Sequence, residues 1–285
     1  ALTDLGNLFG LVKFYSAARG KGVKPLAGAD VWIANPAAPE SASRLLLLVR
    51  NREGYRQLCE LLTRAYLVDG RRDRAEIRRE WFAEIGCNGL LALSGAHLGD
   101  VGEALLNGNF DLAGERAKAW EAIFPGAFYL EVQRYGQPQQ ETIVQQTADL
   151  AGELGLPLVA THPIQFMNAD DFQAHEARVC IAEGYVLGDN RRPKTYTAEQ
   201  YFKTQAEMIE LFADLPEALE NSLEIARRCN IELTLGKNFL PDFPIPPGMT
   251  INEYLVAEAR AGLEKRLVEL YPDPEERLQR RPEYD

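Results

Sequence analysis

Hydrophobic residues fall in short, nearly unbroken runs: KPLAGADVWIA (24–34), RLLLLVR (44–50), NGLLALSG (88–95), FYLEVQ (128–133) and LPLVATH (156–162). A further short run opens the chain and reaches Thr3 and Asp4 before a Gly-Asn turn. Between most of these runs the period changes. LVKFYSAARGKG, ERAKAWEAIF and ETIVQQTADLAGELG are amphipathic, and GYRQLCELLTRAY carries Tyr55, Leu58, Leu62 and Tyr66 near helical spacing. Strand-length runs alternating with helical patterns predict an α/β fold with a parallel sheet or barrel. Strands that are apolar at almost every position need cover on both faces, so helices should flank the sheet. NPAAPESAS (35–43) breaks the rhythm and reads as an exposed hairpin or loop.

Several runs end in small or polar residues: Thr3-Asp4, Ser94-Gly95, Glu131 and Thr161-His162. In a β/α barrel the carboxyl ends of the strands converge on one mouth, where ligands bind. Strand termination alone gives the same pattern, but its repetition favours a present or former site, with Asp4, Asp30 and Glu131 near it.

The pattern changes after about residue 195. TAEQYFKTQAEMIELFADLPEALENSLEIARRC is helical, with Pro216 opening a second helix after Asp214. NFLPDFPIPPGMT then reads as an extended, proline-rich connector. Thr250 and Glu253 have the spacing of a capping box, which starts the helix INEYLVAEARAGLEKRLVEL. Pro272 and Pro274 lead into one more helix start. The expected organisation is an α/β domain over 1–195, a helical extension over 196–238 packing on it, and a connector with helices over 239–285. No internal repeat and no low-complexity tract is present. The sequence lacks an initiator methionine and ends in a charge run, which reads as a piece of a longer chain.

A hydrophobic content of 46% over 285 residues supports a real core. The net charge of −11 argues against gripping nucleic acid over a broad face and leaves room for a local basic patch. Arg71, Arg72, Arg74, Arg78 and Arg79 cluster in DGRRDRAEIRRE. With Asp73, Glu76 and Glu80 among them, this stretch reads as a solvated helix start. Cys59, Cys87, Cys180 and Cys229 form no CxxC pair and fit a reducing compartment, so a cytoplasmic location is expected. No run is long enough to cross a bilayer.

The opening TDLGNLFG resembles one motif of the polymerase-and-histidinol-phosphatase (PHP) domain. The likeness extends through KPLAGAD, NREGYRQLCELLTRAY, LSGAHLGDVGEALL, FYLEVQRYG, LPLVATHPIQF, DFQAHEARVCIAEG and ELFADLPEAL to FLPDFP and RRPEYD. Together these resemble the amino-terminal region of the bacterial replicative polymerase III alpha subunit family. The resemblance implies a distorted PHP-type (β/α)7 barrel, here without its first strand, followed by a helical connector toward a polymerase core. It also implies replicative DNA synthesis by the full protein, with Mg²⁺ in that core, and the proofreading exonuclease subunit as partner. Other replicase subunits and DNA would be met mainly through the rest of the chain, and no membrane is implied.

Metal-binding PHP relatives hold up to three ions with histidines and carboxylates. Where they place a histidine after Thr-Asp, this chain has Leu5. Asp30 stands for a glutamate, Arg44 and Tyr135 for histidines, and Pro163 and Gln165 for the Asp and His of an Asn-Asp-x-His pattern. Asp4, Asp30 and Glu131 remain, and the chain has only three histidines, His97, His162 and His175. His162 follows a strand and is open to a ligand role or a structural one; His97 and His175 read as loop and packing residues. The pocket formed by Asp4, Leu5, Asp30, Arg44, Glu131, Tyr135, Pro163 and Gln165 is therefore expected to be vestigial, with Leu5 filling ligand space, no metal and no catalytic residue in this stretch. The rival expectation is an active metal-dependent phosphoesterase or pyrophosphatase. Dinucleotide, P-loop and nucleophile-elbow motifs are absent.

Overall fold

The computed structural model describes residues 1–36, 38–68 and 74–284. The apolar runs become strands: β1 (Leu2–Leu5), β2 (Ala27–Ile33), β3 (Ser43–Val49), β5 (Leu90–Leu93), β6 (Phe128–Gln133) and β7 (Leu158–Thr161). They join in the order β1-β2-β3-β5-β6-β7. Pairing is parallel for β1–β2, β5–β6 and β6–β7. It is antiparallel for β2–β3 and β3–β5. The sheet is thus mixed rather than wholly parallel. The reason lies in the 34–42 connection, which is too short for a crossover and turns β2 straight back into β3 as the expected hairpin.

A seventh strand comes from an unexpected place. Glu76–Ile77 (β4) pairs with β2 at Trp32 and Ile33, where the sequence pattern predicts a helix start. Ile77 is fully buried there, and Arg74 neutralises Glu76 at 2.7 Å. The helix α3 begins only at Glu80 (Glu80–Ile85). Arg71, Arg72 and Asp73 of that arginine-rich stretch lie outside the described residues.

One face of the strands packs on helices. Ala27, Ala29, Val31 and Ile33 of β2 alternate with Leu45, Leu47 and Val49 of β3, all essentially buried. Burying a leucine side chain of this kind stabilises by about 1.5–3 kcal/mol. Helix α2 (Arg52–Leu67) buries Leu58, Leu61, Leu62 and Ala65, and Asn51 caps it by accepting from the Gly54 N–H. Its start touches the start of β5 backbone to backbone: a Cβ on Gly54 would lie 1.8 Å from the Gly89 carbonyl oxygen. Helices α1 (Leu11–Gly20), α4 (Asp100–Leu106), α5 (Phe110–Ile123) and α6 (Gln140–Leu154) complete the alternation.

Beyond α7 (Phe172–Glu183), α8 (Gln205–Leu211) and α9 (Pro216–Arg228) belong to the same compact unit, Ala1–Leu233. Thr204 and Glu207 form a capping box on α8, and Pro216 stands in the first turn of α9. Helix α9 lies against β7, where Asn221 Nδ2 donates to the Leu158 carbonyl at 2.7 Å. The half-buried Arg134 ties the α8–α9 turn to α6 through Glu141 and Asp214.

The second unit, Thr234–Asp285, holds an extended proline-rich segment, α10 (Ile251–Leu270) and α11 (Pro274–Arg280). The Thr250–Glu253 capping box forms as its spacing predicts, and Asp273 caps α11. Leu267 is the buried apolar residue among the described residues of this unit. No helix among the described residues is long and apolar enough to cross a membrane.

Candidate functional site

Side chains alternate between the two faces of a strand. Leu5 stands opposite Asp30, Asp30 opposite Leu46, and Trp32 opposite Arg44. This face continues through Leu93 and Tyr129 to Glu131 and Gln133, with Thr161 opposite Gln133. Asp30 on β2 and Glu131 on β6 both stand on this face, with β3 and β5 between them.

Arg44 forks onto Asp30, with Nε donating to Oδ1 at 2.8 Å and Nη2 donating to Oδ2. Its guanidinium lies 4.7 Å from the centre of the Trp32 ring, and that of Arg74 lies 5.1 Å from it. A chain of contacts results, with both guanidiniums on the Trp32 ring and a carboxylate at each end, Glu76 on Arg74 and Asp30 on Arg44. Gly95 closes this corner with φ 76°, and a Cβ there would meet the Arg44 carbonyl oxygen at 2.5 Å.

Glu131 is buried, and neutral groups hold both its oxygens. Gly95 N–H donates to Oε2 at 3.1 Å; Gln133 Nε2, at 3.1 Å, and the Thr161 hydroxyl donate to Oε1. Burial raises its pKa, Asp30 adds to the rise, and the three hydrogen bonds oppose it. Beside it the Tyr135 hydroxyl meets His97 Nε2 at 3.1 Å. Burial pushes the Tyr135 phenol up to about 12 and lowers the His97 pKa, which the Arg44 charge lowers further. These side chains, with Gln140 and Ile143, bound a cavity of about 200 Å³.

The fold thus brings Asp30, Arg44, Glu131 and Tyr135 together around His97. Leu5 shares their face but is 46% exposed, so it does not fill a packed ligand space as expected. Asp4 pairs in register with Ala29 on the opposite face, and its carboxylate points at the start of α1 beside Gly10. Pro163 and Gln165 are engaged through their backbones with Gln200. His162 Nε2 meets the Glu199 carbonyl at 2.9 Å, and burial lowers its pKa. His175 is buried edge-on to Tyr196, with ring centres 4.6 Å apart.

Trp32, Gln133 and Gln140 are members of this site that sequence reasoning missed. The Glu-x-Gln spacing of β6, which puts both side chains on one strand face, was the available signal for Gln133. A larger open cleft of about 960 Å³ lies beside the 34–43 loop, but Arg79 pairs with Asp100 and Arg116 with Glu103 across it.

The PHP resemblance implies a multi-metal centre, and the donor set does not fit one. Both Asp30 oxygens face a guanidinium, both Glu131 oxygens accept hydrogen bonds, and among the described residues no three His, Cys, Asp or Glu groups converge as ligands. No hydrolytic step is assigned to these residues.

Residues 1–135 match the family model described as PHP domain. The DNA polymerase III subunit alpha of Neisseria meningitidis serogroup A is 54% identical over 285 residues, covering 99% of this chain and 25% of that protein. The subunit of the same name from Pseudomonas aeruginosa is 49% identical over 95% of this chain and 23% of its own length. That from Escherichia coli K12 is 45% identical over all of this chain and 24% of its own length. The chain spans about a quarter of the length of the curated relatives it matches. Over residues 1–135 it is similar to the PHP domain, and along its whole length it is similar to one region of these bacterial DNA polymerase III alpha subunits.

Proposed function

We propose that this chain is the PHP region of a replicative DNA polymerase catalytic subunit and acts there as a catalytically inactive scaffold and docking module. The full polypeptide would extend DNA by nucleotidyl transfer, with Mg²⁺ held by aspartates of a polymerase core outside these residues. The proofreading exonuclease subunit is the proposed partner.

The observation that carries this reading is the engagement of the site's carboxylates by the protein's own groups. A metal phosphoesterase needs carboxylates and neutral imidazoles free to bind ions, which then polarise phosphate and acidify a water. Here Arg44 supplies the cation at Asp30, and Tyr135 shares the site with its one nearby imidazole, His97.

Two measurements test the proposal. The purified 285-residue chain is dialysed against Zn²⁺, Mn²⁺ or Fe²⁺, analysed for bound metal, and assayed with p-nitrophenyl phosphate esters and pyrophosphate. No stoichiometric metal and no metal-dependent turnover are expected; about two or three tightly held ions with turnover would establish the phosphoesterase instead. Calorimetric titration with the exonuclease subunit of the same organism should give a saturable complex. A flat titration would remove the docking role.

A further inference from the structure

We propose that the pole of the barrel opposite the candidate site binds the sugar-phosphate backbone of a nucleic-acid duplex, through Lys24, Arg50 and Arg228. Lys24 precedes β2, Arg50 follows β3, and Arg228 ends α9. No sequence window contains more than one of them, which is why no basic motif is visible in the sequence.

Asn230 ties the Lys24 side chain to the Arg50 backbone. Its side-chain oxygen accepts from Lys24 Nζ at 2.8 Å, and its N–H donates to the Arg50 carbonyl at 2.6 Å. All three cations are anchored on neutral acceptors. Lys24 also donates to the Ala226 carbonyl at 2.6 Å, and Arg50 donates to the Asn88 carbonyl at 3.2 Å. Arg228 donates to the Tyr129 hydroxyl at 2.7 Å and to the Gly126 carbonyl at 2.8 Å. Among the described residues none of the three has a carboxylate partner. Of the nearby carboxylates, Glu224 pairs with Arg227 and Glu53 with Arg56, while Glu121 accepts from the Gly126 N–H and keeps its charge. Glu232, just beyond, is exposed. Exposed Lys21, Arg52 and Arg227 widen the patch.

Neutral anchors fix the position of a cation and leave its charge uncompensated. Three such charges held side by side on a chain of net charge −11 form a local positive field that attracts a polyanion. A protein partner needs an apolar centre to its interface. Val23 is the one large apolar side chain exposed among residues 21–24, 50–52 and 226–230. No aromatic ring is exposed there to stack a base, so the patch suits phosphates rather than bases. The net charge confines the contact to this pole, in keeping with the local rather than broad basic surface that composition allows.

The test measures anisotropy of a labelled DNA duplex with the whole chain as salt is raised. Three phosphate contacts predict a slope of log K against log salt of about −3. Arg52→Glu/Arg227→Glu changes exposed pole residues that anchor nothing in the core. Arg191→Glu/Lys194→Glu makes the same charge change in the loop after α7, where the Thr195 carbonyl accepts from Gln137 beside the candidate site. The pole variant should bind more weakly than the control, because it reverses charge around the three contacts. Lys24→Gln/Arg228→Gln, with neutral donors in place of two contact charges and its fold checked by circular dichroism, should bind more weakly and flatten the slope by about one unit per lost contact. Equal weakening by the pole and control variants would overturn the proposal, as would absence of duplex binding at low salt. At matched ionic strength, displacement of the duplex by inorganic pyrophosphate would reassign the pole to a free phosphate anion. Equally good displacement by polyglutamate would reassign it to an acidic protein segment.

Discussion

Arg44 decides what this strand face can do. Its fork neutralises Asp30 where both side chains are mostly withdrawn from water. Arg44→Met leaves that carboxylate without its cation and close to Glu131, and should cost about 1–3 kcal/mol of unfolding free energy in urea titrations. Adding Asp30→Asn should restore part of the loss; no recovery would mean that the stack on Trp32, not the ion pair, holds Arg44. Leu5→His should behave differently. The side chain is half exposed, so the change should move stability by under about 0.5 kcal/mol. It should also give no metal-dependent shift in melting, since Arg44, Tyr135, Pro163 and Gln165 stand where other imidazole and carboxylate ligands are expected. A large shift with added Zn²⁺ would show that one ligand was all the site lacked.

At the scale of elements, the ion pairs of Arg134 are the device that closes α8 and α9 onto the barrel. Arg134→Ala removes bonds to Glu141, Asp214 and the Leu211 carbonyl, and the cover over Phe212. We expect a loss of about 1–3 kcal/mol and faster amide exchange in α8 and α9 than in β2 and β3. Uniform acceleration would mean that the helices unfold only with the whole domain. The elements themselves were legible wherever one period dominated: the apolar runs became strands, and Thr250 with Glu253 opened α10. Two features were not legible. β4 is two residues long, below the length at which any period can be read, and it exists because Ile77 finds a buried place beside β2. The site was read as a set of strand ends, which groups Asp4 with Asp30 and Glu131. Strand alternation separates them: register between strands decides the face, and strands such as β5 and β6, buried on nearly every residue, carry no alternation from which to read it.

For the whole molecule, the buried titratable groups pull in opposite directions with pH. Burial raises the Glu131 pKa above its ordinary 4.5, so the fold binds this proton more tightly than the unfolded chain does. Its contribution to stability is full below that value and is lost as pH rises through the folded-state pKa. Glu131→Gln should therefore gain on the parent in unfolding free energy as pH is raised from about 4.5 to 7. A constant difference would mean that the carboxyl ionises alike in both states. His97, His162 and His175 work the other way. Burial is the leading cause that lowers each below the ordinary 6.5, so the unfolded chain takes up these protons first and stability falls as pH drops below that value. The melting temperature should fall between about pH 7.5 and 5.5, and His97→Gln should lessen the fall.

The arginine stacks have an optical consequence. The chain has three tryptophans, and each lies under at least one guanidinium: Trp32 under Arg44 and Arg74, Trp81 under Arg78, and Trp120 under Arg79 at 4.0 Å. They sit on β2, α3 and α5. Helices α8 and α9 and the second unit contain none. Fluorescence excited selectively at tryptophan is thus a local gauge of β2, α3 and α5, without a reporter in α8, α9 or α10. An emission trace that lags the far-ultraviolet circular dichroism signal on heating would time the loss of those helices against the survival of the barrel, without any added label.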